Sequence, residues 1–414
     1  MATNNNNKVL NVPNLRFPEF SGEWKKVKMG EICKFMSGGT PAMDKADYWN
    51  GDIPFISATA MHENYINGST QRITALGLEK GSKLLKKGNL LLLVRGSMLW
   101  KRIPICYNNI DVAFNQDVKG IMAKNKDVTP YFLLYWFCSQ QNRLLYRVTG
   151  TGIGAGKLDT SELLALPLYL PSKEEMNKIG NCLKLLDERI ATQHKIIDKL
   201  QSLIKGLSDS LLNNPQWDKI CLRSFMEFYP TNSLSWEQLS YKEGLIRNLH
   251  YGLIHSFSTI GIDSLSLPMI TPNNTPKQYT LCRNGDIAFA DASEDTNEIA
   301  KAVEFIDTND YDTVCGLHTI HGRDIKNITL VGFKGFVFNS HYFHSQIRRL
   351  AQGTKVFSIT VNNLMSCYAY VPNKSKQKSI VELLKTMENK LSMNRFLLEK
   401  YEIQRSYLLQ QMFI

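Results

Sequence analysis

The chain has 414 residues, 43% of them hydrophobic and 21% charged, which suits a folded protein of two or three domains and excludes a disordered or fibrous one. Lysine and arginine outnumber aspartate and glutamate by 49 to 38, and the formal charge of +11 favours a polyanionic partner, nucleic acid above all. No apolar run approaches the roughly 20 residues of a membrane span, and residues 1–7 lack the regions of a signal peptide, so a cytoplasmic protein is expected.

After an N-terminal extension (residues 1–22), short β-type runs broken by turn signals occur at 52–56 and 88–94, and a helix is expected over 130–142. A glycine-rich stretch, 150–157, precedes Pro171. Beyond it Ser172 is an N-cap candidate, with Glu175 at capping-box distance. Apolar residues then step by four and three: Ile179, Leu183, Leu186, Ile190, Gln193, Ile197, Leu200, Ile204, Leu207, Leu211. That is a coiled-coil seam of more than four heptads, broken by one polar residue. Trp217 opens a second β-rich stretch with a strand near 285–290. After Pro372 and the cap candidate Asn373 the seam recurs in the same register: Ile380, Leu384, Met387, Leu391, Asn394, Leu398, Tyr401, Arg405, Leu408, Met412.

The chain is therefore two diverged copies of one unit. An offset of 201 aligns Pro171 with Pro372, Tyr169 with Tyr370 and Gly152 with Gly353, while Trp24 meets Trp217 at 193. The expected domains are 23–171 and 214–372, each a mixed α/β globule, separated and followed by long helices at 172–213 and 373–414. Two such helices with one register are natural partners, and a pseudo-two-fold repeat requires them to run antiparallel, with Gln193 against Asn394.

Catalytic patterns fail in turn. The stretch 150–157 has Thr151 where a phosphate loop needs glycine and Leu158 where it needs serine or threonine. Eight cysteines stand singly with no Cys-x-x-Cys, as reduced thiols do. Cys315, His318 and His321 share a spacing of three that His341 and His344 repeat, but glycine and β-type residues argue against one helical face, and no metal site is assigned. The acidic residues Glu294, Asp295 and Glu298 read as a solvated loop. What remains is basic, amide-rich and aromatic: Arg95, Lys101, Arg102, Asn115, Gln116 and Lys157 in the first copy. The second copy has Arg247, Asn248, His250, Tyr251, Arg283, His318, His321 and Arg323. Arginine, lysine and the amides form paired hydrogen bonds with guanine and adenine edges, so these are the candidate DNA-binding residues.

Two variable globules alternating with two similar long helices resemble the specificity subunit of type I restriction-modification systems. The local likenesses are 12–18 with Trp24 and 30–32, the glycine turn 37–41, the segments 115–118 and 316–320, and 152–166 leading to Pro171. The second copy departs at 353–357, which is poorer in glycine. The resemblance implies an α+β protein whose two target recognition domains each read one half of a bipartite, asymmetric DNA site. It implies that the antiparallel helix pair sets the spacing and docks two modification subunits, with restriction subunits joining the complex. It further implies that the chain is no enzyme and binds no cofactor, S-adenosylmethionine, ATP and magnesium acting on the partners. The alternatives are a pseudo-dimeric coiled-coil adaptor that reads no sequence, and an enzyme using Cys315 and His318.

Overall fold

The computed structural model describes residues 10–152, 154–255, 261, 266–306, 308 and 311–414, so residues 1–9 of the extension and Ile153 of the glycine stretch lie outside the described residues. The chain divides into two compact units, Met1–Gln193 with Leu397–Ile414, and His194–Phe396. Each unit holds one globule and a half of each long helix.

In the first unit a five-stranded sheet has Cys33–Ser37 at one edge, followed by Val118–Ala123, Leu90–Leu93, Ile105–Asn108 and Tyr65–Ile66. The continuous apolar run at 90–93 is buried along its whole length, as a strand covered on both faces must be. Helix Pro130–Ser139 covers this sheet, and six consecutive residues from Phe132 to Phe137 are buried, which explains a sequence that is apolar all round. A second, four-stranded sheet runs Arg72–Ile73, Trp49–Ile56, Val112–Phe114, Leu84–Leu85, and its central pair is parallel.

The second unit repeats the plan. Met226–Tyr229, Thr319–Asp324, Ile287–Ala290 and Ala302–Glu304 follow one another in the same order as the first four strands above. Leu239–Ser240, Met269–Ile270, Arg247–Leu249 and Thr313–Cys315 form the smaller sheet, again with a parallel pair. In each copy the strand after the anchor tryptophan closes the globule. Lys25–Lys28 pairs antiparallel with Pro167–Leu170, and Asp218–Cys221 with Tyr368–Val371. The chain thus leaves each globule beside the place where it came in, which is where each long helix starts.

Those helices are Lys173–Leu212 and Lys374–Gln411, 40 and 38 residues long, or about 60 Å each at 1.5 Å per residue. Every described seam position from Ile179 to Leu211 and from Ile380 to Met412 is buried or half-buried. Within the first unit the helix segments run antiparallel. Ile179 and Leu183 share a core with Leu409 and Met412, while Asp187 meets Arg405. Within the second unit Leu207, Leu211 and Leu212 pack in one core with Ile380 and Leu384. Gln193 is buried; Asn394 is half-buried and donates to the Lys390 carbonyl at 2.7 Å.

The cap at Ser172 forms, its Oγ accepting from the Glu175 N–H at 3.2 Å, and Asn373 likewise accepts from Lys376 N–H at 2.9 Å. The Glu175 carboxylate, however, does not complete a capping box. It is buried and accepts from Arg16 Nε and Nη2, both at 2.7 Å, and from Trp24 Nε1 at 3.3 Å. The extension is thereby tied to the helix start, a long-range pairing that outcompetes the local one because it is bidentate and charge-assisted.

Arg405 explains a charged residue in an apolar seam. Its guanidinium bonds Asp187, whose carboxylate also accepts from Tyr135 Oη at 3.0 Å and Asn64 Nδ2 at 3.2 Å. Arg405→Ala is expected to destabilise the first unit by about 2–3 kcal/mol, less than a fully buried pair because Arg405 keeps some solvent contact. A denaturant midpoint within the error of the unaltered protein would show that the network contributes nothing.

Candidate nucleic-acid interface

The first globule gathers cations where three turns meet. Arg95 lies directly opposite Lys157 in the small sheet formed by Arg95–Gly96, Gly156–Lys157 and Thr149–Gly150, and both side chains are exposed. The glycine-rich stretch is thus a hairpin that carries Lys157 to Arg95. Lys119 donates to Ser37 Oγ at 2.6 Å; partial burial, then the charges of Arg95 and Lys83, hold its ammonium below the ordinary lysine value. Like charges gathered in this way raise the local potential and favour an anion.

The turn 37–41 is locked onto the same place. A Cβ on Gly38 would sit 2.2 Å from the Phe114 carbonyl oxygen, so only glycine allows this approach. Thr40 Oγ1 then donates to Gln116 Oε1 at 2.7 Å, while Asn115 Oδ1 accepts from the Asp117 N–H at 3.2 Å and braces its own turn. Trp100, 51% exposed, hangs beside the hairpin with Nε1 donating to the Gly154 carbonyl at 3.0 Å. The edge offers cations, amides and one aromatic face, the set that tracks phosphates and meets bases. Lys101 is exposed next to Trp100, whereas the Arg102 guanidinium is engaged by the carbonyls of Met61 and His62 at 2.7 and 3.1 Å.

The equivalent edge of the second globule differs. Its hairpin counterpart pairs Ala292 with Ser358, so the cation pair of the first copy is replaced by two small side chains. Aromatic and imidazole rings stand instead. Trp236, 45% exposed, lies 4.5 Å from His250 between ring centres, His250 lies 4.7 Å from Tyr251, and Tyr251 meets His318 edge-on at 5.4 Å. His318 adopts a left-handed φ of 55° and bonds Asp291 Oδ1 at 3.1 Å. His250 is buried; desolvation and then the nearby His318 pull its imidazole below the ordinary histidine value.

Several of the other candidates serve the interior. Arg247 donates to the Leu267 carbonyl at 2.7 Å. Asn248 is buried, accepts from Asn232 Nδ2 at 2.7 Å and crowds Gly316, where a Cβ would come within 2.4 Å of its Nδ2. Arg323 forks onto Asp286 at 2.8 and 2.6 Å, and the buried His321 bonds the same carboxylate at 2.8 Å. Arg283 is exposed at the turn that leads to Asp286.

Sequence reasoning missed Lys119, Ser37, Thr40, Trp100 and Trp236, since exposure of a tryptophan or convergence of distant turns has no local signal. The equivalence of 115–118 and 316–320 was legible, and both segments link a strand of the smaller sheet to the second strand of the larger one. Cys315 is buried against Cys282 while His318 turns to Asp291, so the two do not form a nucleophile and base. His341 and His344 fall on helix His341–Leu350, and burial pushes the His344 imidazole down to about 4. Glu298 pairs with His255 and Lys301, as a solvated loop would.

No helix among the described residues is long and apolar enough to cross a membrane. Residues 21–202 match the family model of the type I restriction modification DNA specificity domain. The chain is similar to the EcoR124I/EcoR124II specificity subunit of Escherichia coli, with 29% identity over 48% of this chain and 45% of that protein. It therefore spans a little under half the length of that relative. Similarity to the MjaVIII specificity subunit of Methanocaldococcus jannaschii is 24% identity over 95% of this chain and 91% of that one. Among solved structures, the type I restriction-modification S subunit from M. genitalium has the same fold, with a TM-score of 0.61 and 15% identity over 97% of this chain and 99% of that one. A chain from a study of complex assembly and conformational transition in the type I R-M system aligns at a TM-score of 0.54 and 12% identity, over 93% of this chain and 96% of that one. With two copies of one globule and a long helix after each, the chain is similar along its length to type I restriction-modification specificity subunits, and its residues 21–202 match the DNA specificity domain of that family.

Proposed function

We propose that this chain reads DNA for a type I restriction-modification complex and performs no chemistry itself. Each globule reads one half of a bipartite, asymmetric site. The long helices set the distance between the halves and dock two modification subunits, and restriction subunits complete the assembly. S-adenosylmethionine, ATP and magnesium act on those partners.

The observation that carries this reading is the contrast between equivalent edges. Both globules share one strand order, yet one edge presents Arg95, Lys157 and Lys119 and the other presents Trp236, Tyr251 and His318. A common scaffold with different side chains at the same place is what reading two unlike half-sites requires. An adaptor that read no sequence would have no use for the difference. Docking is supported by exposed apolar residues on the helices outside the seam: Leu185 and Leu203 on the first, Met393, Phe396, Ile403 and Tyr407 on the second.

Exchange of the domain tests the reading. When residues 24–171 are replaced by the first globule of another family member, adenine-methylation mapping beside the modification partner should show one half of the motif changed and the other kept. A change in both halves, or in neither, overturns independent reading.

A further inference from the structure

Cys282, Cys315 and His321 meet inside the second globule. Cys282 comes from the segment before Ile287–Ala290, Cys315 ends strand Thr313–Cys315, and His321 lies within Thr319–Asp324. All three are buried, and their ligand atoms lie within 4.8 Å of one another. The two sulfurs are 3.6 Å apart. Thiolates bound to zinc at about 2.3 Å with tetrahedral geometry stand about 3.8 Å apart, so almost no movement is needed. A disulfide would require closure to about 2.0 Å.

The histidine is prepared in the way a ligand is. Its Nε2 is 2.8 Å from Asp286 Oδ2, and Asp286 is itself held by the Arg323 fork. A carboxylate on one imidazole nitrogen fixes the tautomer and makes the other nitrogen the donor of a lone pair. That other nitrogen, Nδ1, is buried and has no hydrogen-bond partner among the described residues, in a side chain only 1% exposed. A buried polar atom without a partner is costly, and a metal ion bound at it removes the cost.

We propose that Cys282, Cys315 and His321 bind one structural zinc ion. Two thiols release two protons to solvent as the metal binds, and the zinc ion with two thiolates and a neutral imidazole has no net charge, which suits a buried site. Thiolate and imidazole ligands favour zinc over the oxygen-seeking cations. A fourth position is left for a water molecule. Cys315 and His321 flank the turn that carries His318, so the ion braces the second reading edge from beneath. The spacing of three in Cys315, His318 and His321 pointed to the wrong third ligand: His318 turns outward, and Cys282 arrives from 33 residues upstream.

The test uses the full-length chain, first freed of metal and then dialysed against buffered zinc. One zinc per chain by elemental analysis, with two protons released, is expected. Cobalt in place of zinc should give a thiolate-to-cobalt charge-transfer band and tetrahedral visible bands in the unaltered protein. Cys282→Ser and Cys315→Ser should each lower zinc affinity at least tenfold, and the double variant should lose the charge-transfer band with its circular dichroism unchanged. Absence of stoichiometric zinc and of the cobalt band in the unaltered protein overturns the proposal whatever the variants do. So does zinc retained in full by a folded double variant, or a Cys282–Cys315 disulfide in the freshly purified chain.

Discussion

Replacing Arg95, Lys119 and Lys157 together by alanine is expected to weaken binding of the chain to duplex DNA by on the order of 10²-fold at 0.15 M salt, and to lower the salt slope by about 3. The magnitude follows from one counterion released per phosphate neutralised, about 0.9 per contact in the logarithmic slope. The three cations qualify because they converge: Arg95 and Lys157 are paired across the small sheet, and Lys119 is close enough to Arg95 for their charges to oppose each other. Arg102→Ala should differ, since its guanidinium is bonded to the Met61 and His62 carbonyls; its loss should lower stability more than it lowers the slope. Fluorescence anisotropy across a salt titration measures both quantities. A triple variant with an unchanged slope would place this edge away from DNA.

Removal of one partner from the buried pair Lys334–Glu304 is expected to give the largest loss of stability. The ammonium lies 3.0 Å from Glu304 Oε1, Glu304 Oε2 accepts from the Gly335 N–H at 2.7 Å, and both residues are almost wholly excluded from solvent. Lys334→Met leaves a carboxylate in the interior with its counter-charge gone, at a cost of about 3–5 kcal/mol. Adding Glu304→Gln keeps an acceptor for Gly335 and removes the charge, so the double variant should recover at least half of that loss. The pH dependence has a definite sign. Desolvation already pushes the Glu304 carboxyl above its ordinary value despite Lys334, and without Lys334 it rises further. The folded state then holds a proton that the unfolded state has released, so stability of Lys334→Met falls as pH rises from the ordinary glutamate value to the raised one. Urea unfolding of the second unit at several pH values checks this. A loss under about 1 kcal/mol, or one independent of pH, would contradict it.

Interactions of short range leave a pattern along the chain, and those of long range do not. The seams at 179–211 and 380–412 were legible because helix periodicity is a local property, and one apolar register held over many turns is the mark of a long helix with a partner. The strand at 90–93 was legible for a related reason, since four consecutive leucines must be covered on both faces. The doubling of the chain could be read from the offsets alone, and the two matching sheet orders are its physical expression.

What the sequence determined by itself, then, was the architecture: two copies of a mixed globule, each followed by a long amphipathic helix, with a cationic excess suited to DNA. The tertiary structure decided which polar residues face outward and which hold the interior. Arg323 and His321 resembled DNA ligands in composition but converge on Asp286, because a carboxylate brought within 3 Å by sheet pairing is a stronger partner than water. Glu175 sat at capping-box distance yet bonds Arg16 and Trp24. Cys282 and Cys315 are far apart in the chain and 3.6 Å apart in the fold. Short-range periodicity is written along the chain, whereas a charged or thiol side chain takes its role from neighbours that only strand pairing and packing bring together.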